Sequence, residues 1–408
     1  MQVTTRVIIC MGAIFSLAPF AIDMYLPALP AMATALSTDI NHVEASVAIF
    51  LLGYAVSQIF LGPLSDSIGR RPVLLAGLVL FSVSSYLCGI AETPTTLYFY
   101  RFLQALGGGS SVVVFALIND RFEEKQSAVI ISYIMSVVVI APLIAPIIGG
   151  EILIRYGWEW IFYGLAGYAT LVLIAAKLIV REKSKKKHAS DHTNNTSKQS
   201  LTASIGSLFR SYLPIIRHGY VMSHVLSGSF AFVAGSPFVY IEYFGVQENH
   251  YGYLVALNAV AMIGVNLVNA KVLQSIPPTK KVVVGSFAIG LVSLCLILVN
   301  QLSLGLWSLV GIIVTYVGLL GLIAANAIAG AMAKFKQDGG TVSALYGVFQ
   351  FGLGAVSSAL VSGFHSVDAT VMTSVMACCG LLALCSGFWL YRMTRTQSDN
   401  KAEKLSLN

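Results

Sequence analysis

Residues 20–30 read FAIDMYLPALP, and the understanding of the whole chain turns on this stretch. It lies inside an apolar run long enough to cross a bilayer, yet it holds a carboxylate, Asp23, and two prolines, Pro27 and Pro30. A charge at membrane depth is costly, so such groups face a protein interior or a water-filled path. Each proline removes a backbone donor from a helix that has no water to replace it. Pro27 denies the Asp23 carbonyl its helical partner; Pro19 and Pro30 do the same to Phe15 and Leu26. Helical spacing puts Pro19, Asp23, Pro27 and Pro30 on one face. Broken backbone on a polar face is tolerated where it lines a cavity, so this helix is expected to border one.

The surrounding chain has the composition of an integral membrane protein. Of its 408 residues, 56% are hydrophobic and 11% charged, where a soluble domain carries about 25% charged. Apolar runs fall at 5–31, 43–65, 72–91, 96–118, 127–151, 158–180, 214–241, 251–273, 281–300, 303–329, 341–364 and 369–391. Each is long enough for roughly 30 Å of hydrocarbon. The first run is too long for a cleaved signal peptide, and eleven more follow it. The expected fold is therefore all-α, with twelve transmembrane helices in two six-helix bundles. Those bundles would be 1–180 and 214–391, with a polar, basic linker at 181–213 and a tail at 392–408.

In a soluble chain the net charge of +7 would point to nucleic acid, but here its placement matters more. Arg70, Arg71, Arg121, Lys125, the cluster at 181–187, Lys280, Lys281, Lys334, Lys336, Arg392, Arg395, Lys401 and Lys404 share one side if the spans alternate. The other side has one basic residue, Arg155. The positive-inside rule then places both termini and the linker in the cytoplasm, with lipid and not nucleic acid as the partner. Cys10, Cys88, Cys295, Cys378, Cys379 and Cys385 all fall within spans and lack metal-ligand spacing. They read as small buried apolar fillers, and no metal or other cofactor is expected.

Three further stretches concentrate polar or backbone-bending residues. Span two ends in GPLSDSIGRRPVLL (62–75), whose glycines permit a tight turn. Asp66 there suits a helix cap or an ion pair, and the arginines suit acidic partners such as Asp120 at the end of span four. Span four opens with Arg101 and Gln104, one turn apart, ahead of Gly107, Gly108 and Gly109. Arg101 either snorkels to the outer surface or pairs with Asp23, since both lie about 10 Å below that surface at 1.5 Å per residue. Span five contains APLIAPIIGG (141–150), where Pro142, Pro146, Gly149 and Gly150 suit either a packing kink or a hinge.

The spacing G-x3-D-x2-G-R-R formed by Gly62, Asp66, Gly69, Arg70 and Arg71 resembles the signature loop of the major facilitator superfamily of twelve-span secondary transporters. The resemblance implies that Asp66 and Arg70, with Asp120, latch one conformation and do not bind substrate. Arg101, Gln104 and Gly107 are similar to the R-x2-Q-x2-G motif of proton-coupled members, which implies proton coupling by Arg101. The stretch at 141–150 resembles the antiporter motif G-P-x2-G-G, with Ala145 replacing its glycine before the proline. Together with DMYLPALP (23–30) and 236–258, these features resemble the Bcr/CflA drug-resistance branch of the bacterial drug:proton antiporters. The resemblance runs from about residue 14 to about residue 363.

It implies a proton-driven exporter of small amphipathic drugs of the phenicol, bicyclomycin or sulfonamide type, in the bacterial inner membrane. A monomer is expected, driven by the proton gradient with no cofactor. Asp23 and Arg101 would couple protons, and drug would rest on Asp23, Tyr25, Tyr54, Gln58, Tyr240 and Gln350. The alternative reading is a proton-coupled exporter of a small metabolite such as an amino acid. An enzyme is not expected: the chain has no H-E-x-x-H, G-x-S-x-G or P-loop. A passive channel is disfavoured by the lack of a filter-like repeat. The other intramembrane polar residues, including His224, Asn258, Asn266, Asn326 and Tyr346, read as hydrogen-bonding groups between helices, and Glu242 as a group wetted at a span end.

Overall fold

The computed structural model describes residues 2–120, 122, 124–180, 228–334, 339–364 and 367–406, and every regular element among them is helical. The linker at 181–213 and the first part of the seventh span, with His224, lie outside the described residues.

Span one is broken, as its prolines lead one to expect. α1 (Gln2–Asp23) passes through Pro19 and stops at Asp23; a 3₁₀ turn (Leu26–Ala28) and α2 (Leu29–Ala35) complete the crossing. Pro27 accounts for the stop, because it offers no N–H to the Asp23 carbonyl. The backbone then winds tighter: the Tyr25 carbonyl accepts the Ala28 N–H at 2.9 Å. The Leu26 carbonyl, denied its usual partner by Pro30, accepts the Leu29 N–H. Helical phase is thus lost after Asp23, and Pro27 and Pro30 do not continue the face that Pro19 and Asp23 begin.

α3 (Ile40–Ile68) and α4 (Arg70–Gly89) form spans two and three, and α5 (Pro94–Gly108), a 3₁₀ turn (Gly109–Ser111) and α6 (Val112–Asn119) form span four. α7 (Glu124–Tyr156) and α8 (Glu159–Ile179) follow. In the second half come α9 (Ser229–Pro237) with a π turn (Phe238–Tyr243), α10 (Glu248–Lys271), α11 (Pro278–Gln301), α12 (Leu306–Lys334), α13 (Gly339–Gly363) and α14 (Thr370–Ser406). Nine helical stretches among the described residues are long and apolar enough to span a membrane. α7, α9 with its π turn, and α13 occupy the places of the fifth, seventh and eleventh expected spans. Residues 392–406, expected as part of a tail, continue α14.

Local chemistry sets several boundaries. α5 starts on a reciprocal cap, with Thr93 Oγ1 accepting the Thr96 N–H at 3.2 Å and Thr96 Oγ1 accepting the Thr93 N–H at 3.2 Å. Pro94 sits at the first helical position, where no N–H is needed. Between α3 and α4 the chain turns on Gly69 at φ +116°, a conformation that a side chain disfavours.

Helix contacts fall into two groups. α1 packs on α7 and α8, α3 on α5, and α4 on α5 and α8. In the second group α11 packs on α12 and α14, α10 on α12, and α9 on α13 and α14. Several pairs cross between the groups, most extensively α3 with α13 and α7 with α10. The twelve spans therefore make two bundles meeting at a seam. Large apolar side chains also face outward, among them Leu171, Leu178, Leu291 and Trp307. Such a surface suits lipid and not water. The cysteines follow the same logic, which corrects the expectation of burial. All six are free, but only Cys10 and Cys88 are buried, and Cys378 and Cys385 are exposed on α14. A small apolar side chain is as well placed against lipid as in a core.

Candidate functional site

The break in span one lies on the seam. Its 3₁₀ turn touches α7 of its own bundle and α9 and α10 of the other, and α2 meets the π turn of span seven. Span seven changes from α to π winding where it meets α2, just after the break in span one. Irregular backbone at membrane depth is a feature of transporter binding regions.

Gly149 explains how α7 comes so close to the break. A Cβ there would lie 1.7 Å from the Met24 carbonyl oxygen, so only glycine fits. One residue on, a Cβ at Gly150 would lie 3.1 Å from the Glu248 carbonyl oxygen, and one at Gly252 would lie 2.7 Å from the Ile147 nitrogen. The segment from Pro146 to Gly150 thus packs against span one and α10 together. α7 stays helical through Pro142 and Pro146.

Asp23 ends α1 in a buried position, 8% exposed, and makes no hydrogen bond or ion pair among the described residues. Arg101 is fully buried. Its Nη1 donates to the Ala21 carbonyl at 2.9 Å and to Gln104 Oε1 at 2.6 Å, and Gln104 Nε2 donates to Ser85 Oγ at 2.8 Å. The guanidinium carbon lies 4.2 Å from the Tyr25 ring centre and 4.4 Å from that of Phe50. Tyr25 is itself held by a 3.1 Å hydrogen bond between its hydroxyl and Ser46 Oγ. A desolvated cation–aromatic contact stabilises by about 2 kcal/mol, and a hydrogen bond to a charged group by about 1.5–3 kcal/mol. Together these offset the loss of water around the arginine. Nε and Nη2 are buried and have no hydrogen-bond partner among the described residues.

The acceptor on Ala21 exists because the helix stops. The last α-helical bond of α1 runs from the Met24 N–H to the Phe20 carbonyl at 3.0 Å, leaving the next carbonyl for the arginine. Arg101 therefore neither snorkels to the surface nor ion-pairs with Asp23, the two alternatives open from the sequence. It binds the backbone of the same broken segment, two residues before the carboxylate. Gly107, which completes the motif, lets α5 meet α4: a Cβ there would lie 2.5 Å from the Phe81 nitrogen.

At the end of the bundle that bears the basic turns, Arg70 bridges two carboxylates, Asp66 at 2.5 Å and Asp120 at 3.4 Å. Its Nη1 also donates to Ser65 Oγ at 2.7 Å. Arg71 Nη2 donates to the Lys177 carbonyl at 2.9 Å, at the C-terminal end of α8 where a cation is favoured. Asp66, Gly69, Arg70, Arg71 and Asp120 thus tie α3, α4, α6 and α8 together. At Gly62 a Cβ would meet nothing within 4 Å, so nothing in this packing requires a glycine there.

The expected drug-contact residues do not form one group. Tyr25 belongs to the Arg101 cluster. Tyr54 lies on the seam, its ring 4.6 Å from Phe351 of α13 and its hydroxyl 3.0 Å from Ser111 Oγ. Gln58 lies against α13 at Gly347, where a Cβ would come within 2.5 Å of Gln58 Oε1. Tyr240, on the π turn, is buried between Phe232 and Tyr251 with ring centres 6.0 and 6.2 Å away. Tyr251, whose hydroxyl is 2.8 Å from Ser236 Oγ, lies within electrostatic reach of Asp23 and Tyr240. Gln350 stands apart, on an open groove of about 350 Å³ on the second bundle, walled by Phe230, Leu353, Val375 and Cys379 and rimmed by exposed Val356 and Phe364.

Several participants carry no plain sequence signal. Ser46, Phe50 and Ser85 look like ordinary span residues until the arginine is placed among them. Glu44 is 2% exposed, with a buried Oε1 that has no hydrogen-bond partner. A carboxylate inside the second apolar run is a signal present in the sequence, although nothing there ties it to a site. Among the asparagines, Asn326 Nδ2 donates to Asn269 Oδ1 at 3.0 Å between α12 and α10, whereas neither amide atom of buried Asn258 is partnered among the described residues. Glu242 is exposed, as expected.

Comparison with known proteins agrees with this architecture. The Bicyclomycin resistance protein homolog of Haemophilus influenzae is 29% identical over 94% of this chain and 95% of its own length. The uncharacterized MFS-type transporter YdgK of Bacillus subtilis is 30% identical, covering 90% of each chain. Multidrug resistance protein MdtL of Vibrio parahaemolyticus is 31% identical over 63% of each. In fold, the chain superimposes on the xylose transporter XylE of E. coli with a TM-score of 0.71 at 12% identity, covering 96% of this chain and 98% of that one. The POT family transporter PepTSo gives a TM-score of 0.72 at 15% identity, covering 96% and 98%. The Major Facilitator Superfamily profile matches residues 11–359, and with twelve spans in two bundles around a broken, carboxylate-bearing first helix, this multi-pass membrane protein belongs to that family of transporters.

Proposed function

We propose that this transporter exports small amphipathic drugs of the phenicol, bicyclomycin or sulfonamide type in exchange for protons. It would do so by alternating access of one site between the bundles 1–180 and 214–391. The reading rests chiefly on Asp23, a buried carboxylate with no ion pair among the described residues, at a helix break on the seam. The names of the Haemophilus and Vibrio relatives support drug as the cargo. The protein would sit in the bacterial inner membrane as a monomer, with its basic turns, linker and termini in the cytoplasm.

In this cycle the Asp23 carboxylate takes a proton from the periplasmic side, which releases the drug. It then loses that proton to the cytoplasm, which restores drug binding. Arg101 supplies a fixed positive field close by, since its guanidinium is held by Ala21, Gln104, Tyr25 and Phe50 and not by the titrating group. One charge moved across 100 mV is worth about 2.3 kcal/mol. Asp66, Arg70 and Asp120 would latch the cytoplasmic side, and Pro142, Pro146, Gly149 and Gly150 would set how span five moves on span one. The test is a drug-susceptibility panel in an efflux-deficient bacterium expressing the chain, with Asp23→Asn alongside. Resistance to these drugs in the wild type and its loss in the variant are expected. Export of an amino acid with no drug resistance would favour the metabolite reading.

A further inference from the structure

Glu44 lies near the start of α3, at the end of the molecule away from the basic turns, and the second bundle buries it. It shares a cleft with Asn41 of its own helix and with Gly235, Val239, Val361 and Met372 from α9, the π turn, α13 and α14. The cleft holds about 10 Å³, at the lower limit of the roughly 10–15 Å³ that a water needs. Glu44 is 2% exposed, its Oε1 has no hydrogen-bond partner, and no ion pair includes it among the described residues. Among the described residues, the titratable groups found around it carry no positive charge. Glu242 of the π turn and Tyr251 of α10 lie within electrostatic reach, and Asp368 ahead of α14 lines the same cleft. His42 is two residues earlier, about 200° round the helix by helical spacing.

An ionised carboxylate with a buried oxygen that no donor or cation reaches is disfavoured, so the socket accepts the neutral acid. When the bundles part on this face, the same carboxyl meets water. We propose that Glu44 is a second proton-binding site, separate from Asp23, whose protonation is required for the seam to close at the end opposite the basic turns. On opening, the proton leaves Glu44 for water on that face; before closure the carboxylate takes one back from the same face. Because the proton is taken and returned on one side, the site sets how pH governs the gate and does not drive export. It rests on the alternating-access part of the functional reading and not on Asp23 as proton carrier.

The test reads the seam directly. Spin labels at Thr95→Cys and Gln301→Cys, in a full-length chain lacking the six native cysteines, report the spacing of exposed loop ends of the two bundles. Pulsed distance measurements across about pH 4 to 9 are made with Asp23→Asn present, so that its carboxyl cannot titrate. The expected result is a long-distance population that rises several-fold with pH when Glu44 is present and stays at its acid-limit value at every pH in Glu44→Gln. Glu44→Met should also stay closed and serves if the glutamine variant does not fold. An identical titration with and without Glu44, or a flat profile in its presence, overturns the proposal. The two ideas separate cleanly. Loss of efflux in Asp23→Asn with an unaltered seam titration sinks only the Glu44 gate, whereas retained efflux in Asp23→Asn sinks the antiport reading alone.

Discussion

Arg101 Nη1 lies 2.9 Å from the Ala21 carbonyl oxygen, while Asp23, two residues along the same segment, has no ion pair among the described residues. A buried cation tied to a backbone dipole keeps its place whether or not the neighbouring carboxylate is charged. That separation suits a coupling site, because Asp23 can gain or lose a proton without releasing the arginine. It also means that the break at Pro27 has two products, an accessible carbonyl for Arg101 and a carboxylate left without a cation.

The aromatic clamp predicts that Arg101→Lys is not conservative. An ammonium cannot lie flat between Tyr25 and Phe50, and it keeps one compact charge where the guanidinium spreads five donors. Both Arg101→Lys and Arg101→Ala should lower stability by about 1–3 kcal/mol, the penalty for stranding buried partners such as Gln104. Both should also change the pH dependence of drug transport. Thermal unfolding in detergent and proton-coupled uptake into inverted vesicles give the two readings, and an unchanged pH profile would remove Arg101 from the coupling site.

Two glycines give opposite expectations. A Cβ at Gly149 would lie 1.7 Å from the Met24 carbonyl oxygen, so Gly149→Ala must push α7 off span one. Overpacking of this kind costs about 1–3 kcal/mol, and transport should fall tenfold or more. Gly62→Ala meets nothing within 4 Å inside α3, so its stability should hold or rise by up to about 1 kcal/mol. An undiminished Gly149→Ala would show that the contact of α7 with span one is looser than described, and a loss at Gly62→Ala would show an unseen neighbour there.

The Arg70 bridge is a test of latch against scaffold. Asp66 and Asp120 side chains are 62% and 57% exposed, and exposed ion pairs contribute only about 0–1 kcal/mol. Asp66→Asn and Arg70→Gln should therefore leave the unfolding temperature nearly unchanged while altering the transport rate several-fold. A large loss of stability with a normal rate per folded molecule would make the bridge structural only.

Much of this is legible in the sequence alone. Twelve spans could be counted because hydrocarbon thickness imposes a run length that composition reveals at once. The turn at 62–75 was legible because Gly69 and the charges around it serve one local geometry. What stayed hidden depended on distant chain. The Ala21 carbonyl has no sequence signature, so Arg101 could be placed at the right depth but not on the right acceptor. Gln350 and Gln58 looked equivalent as polar span residues, yet packing directs one to an open groove on the second bundle and the other onto the seam. Glu44 is not among the expected site residues, and only the approach of α9, α13 and α14 shows that it is buried.

The most direct test of the account is proton-coupled drug flux through Asp23→Asn. Inverted vesicles matched for protein content would carry an imposed proton gradient, with accumulation of a bicyclomycin- or phenicol-type drug measured in wild type and variant. The account predicts gradient-driven accumulation in the wild type and none in Asp23→Asn, although the variant stays folded and Arg101 keeps its bond to Ala21. Accumulation by Asp23→Asn at the wild-type level, with the same dependence on the gradient, would contradict it.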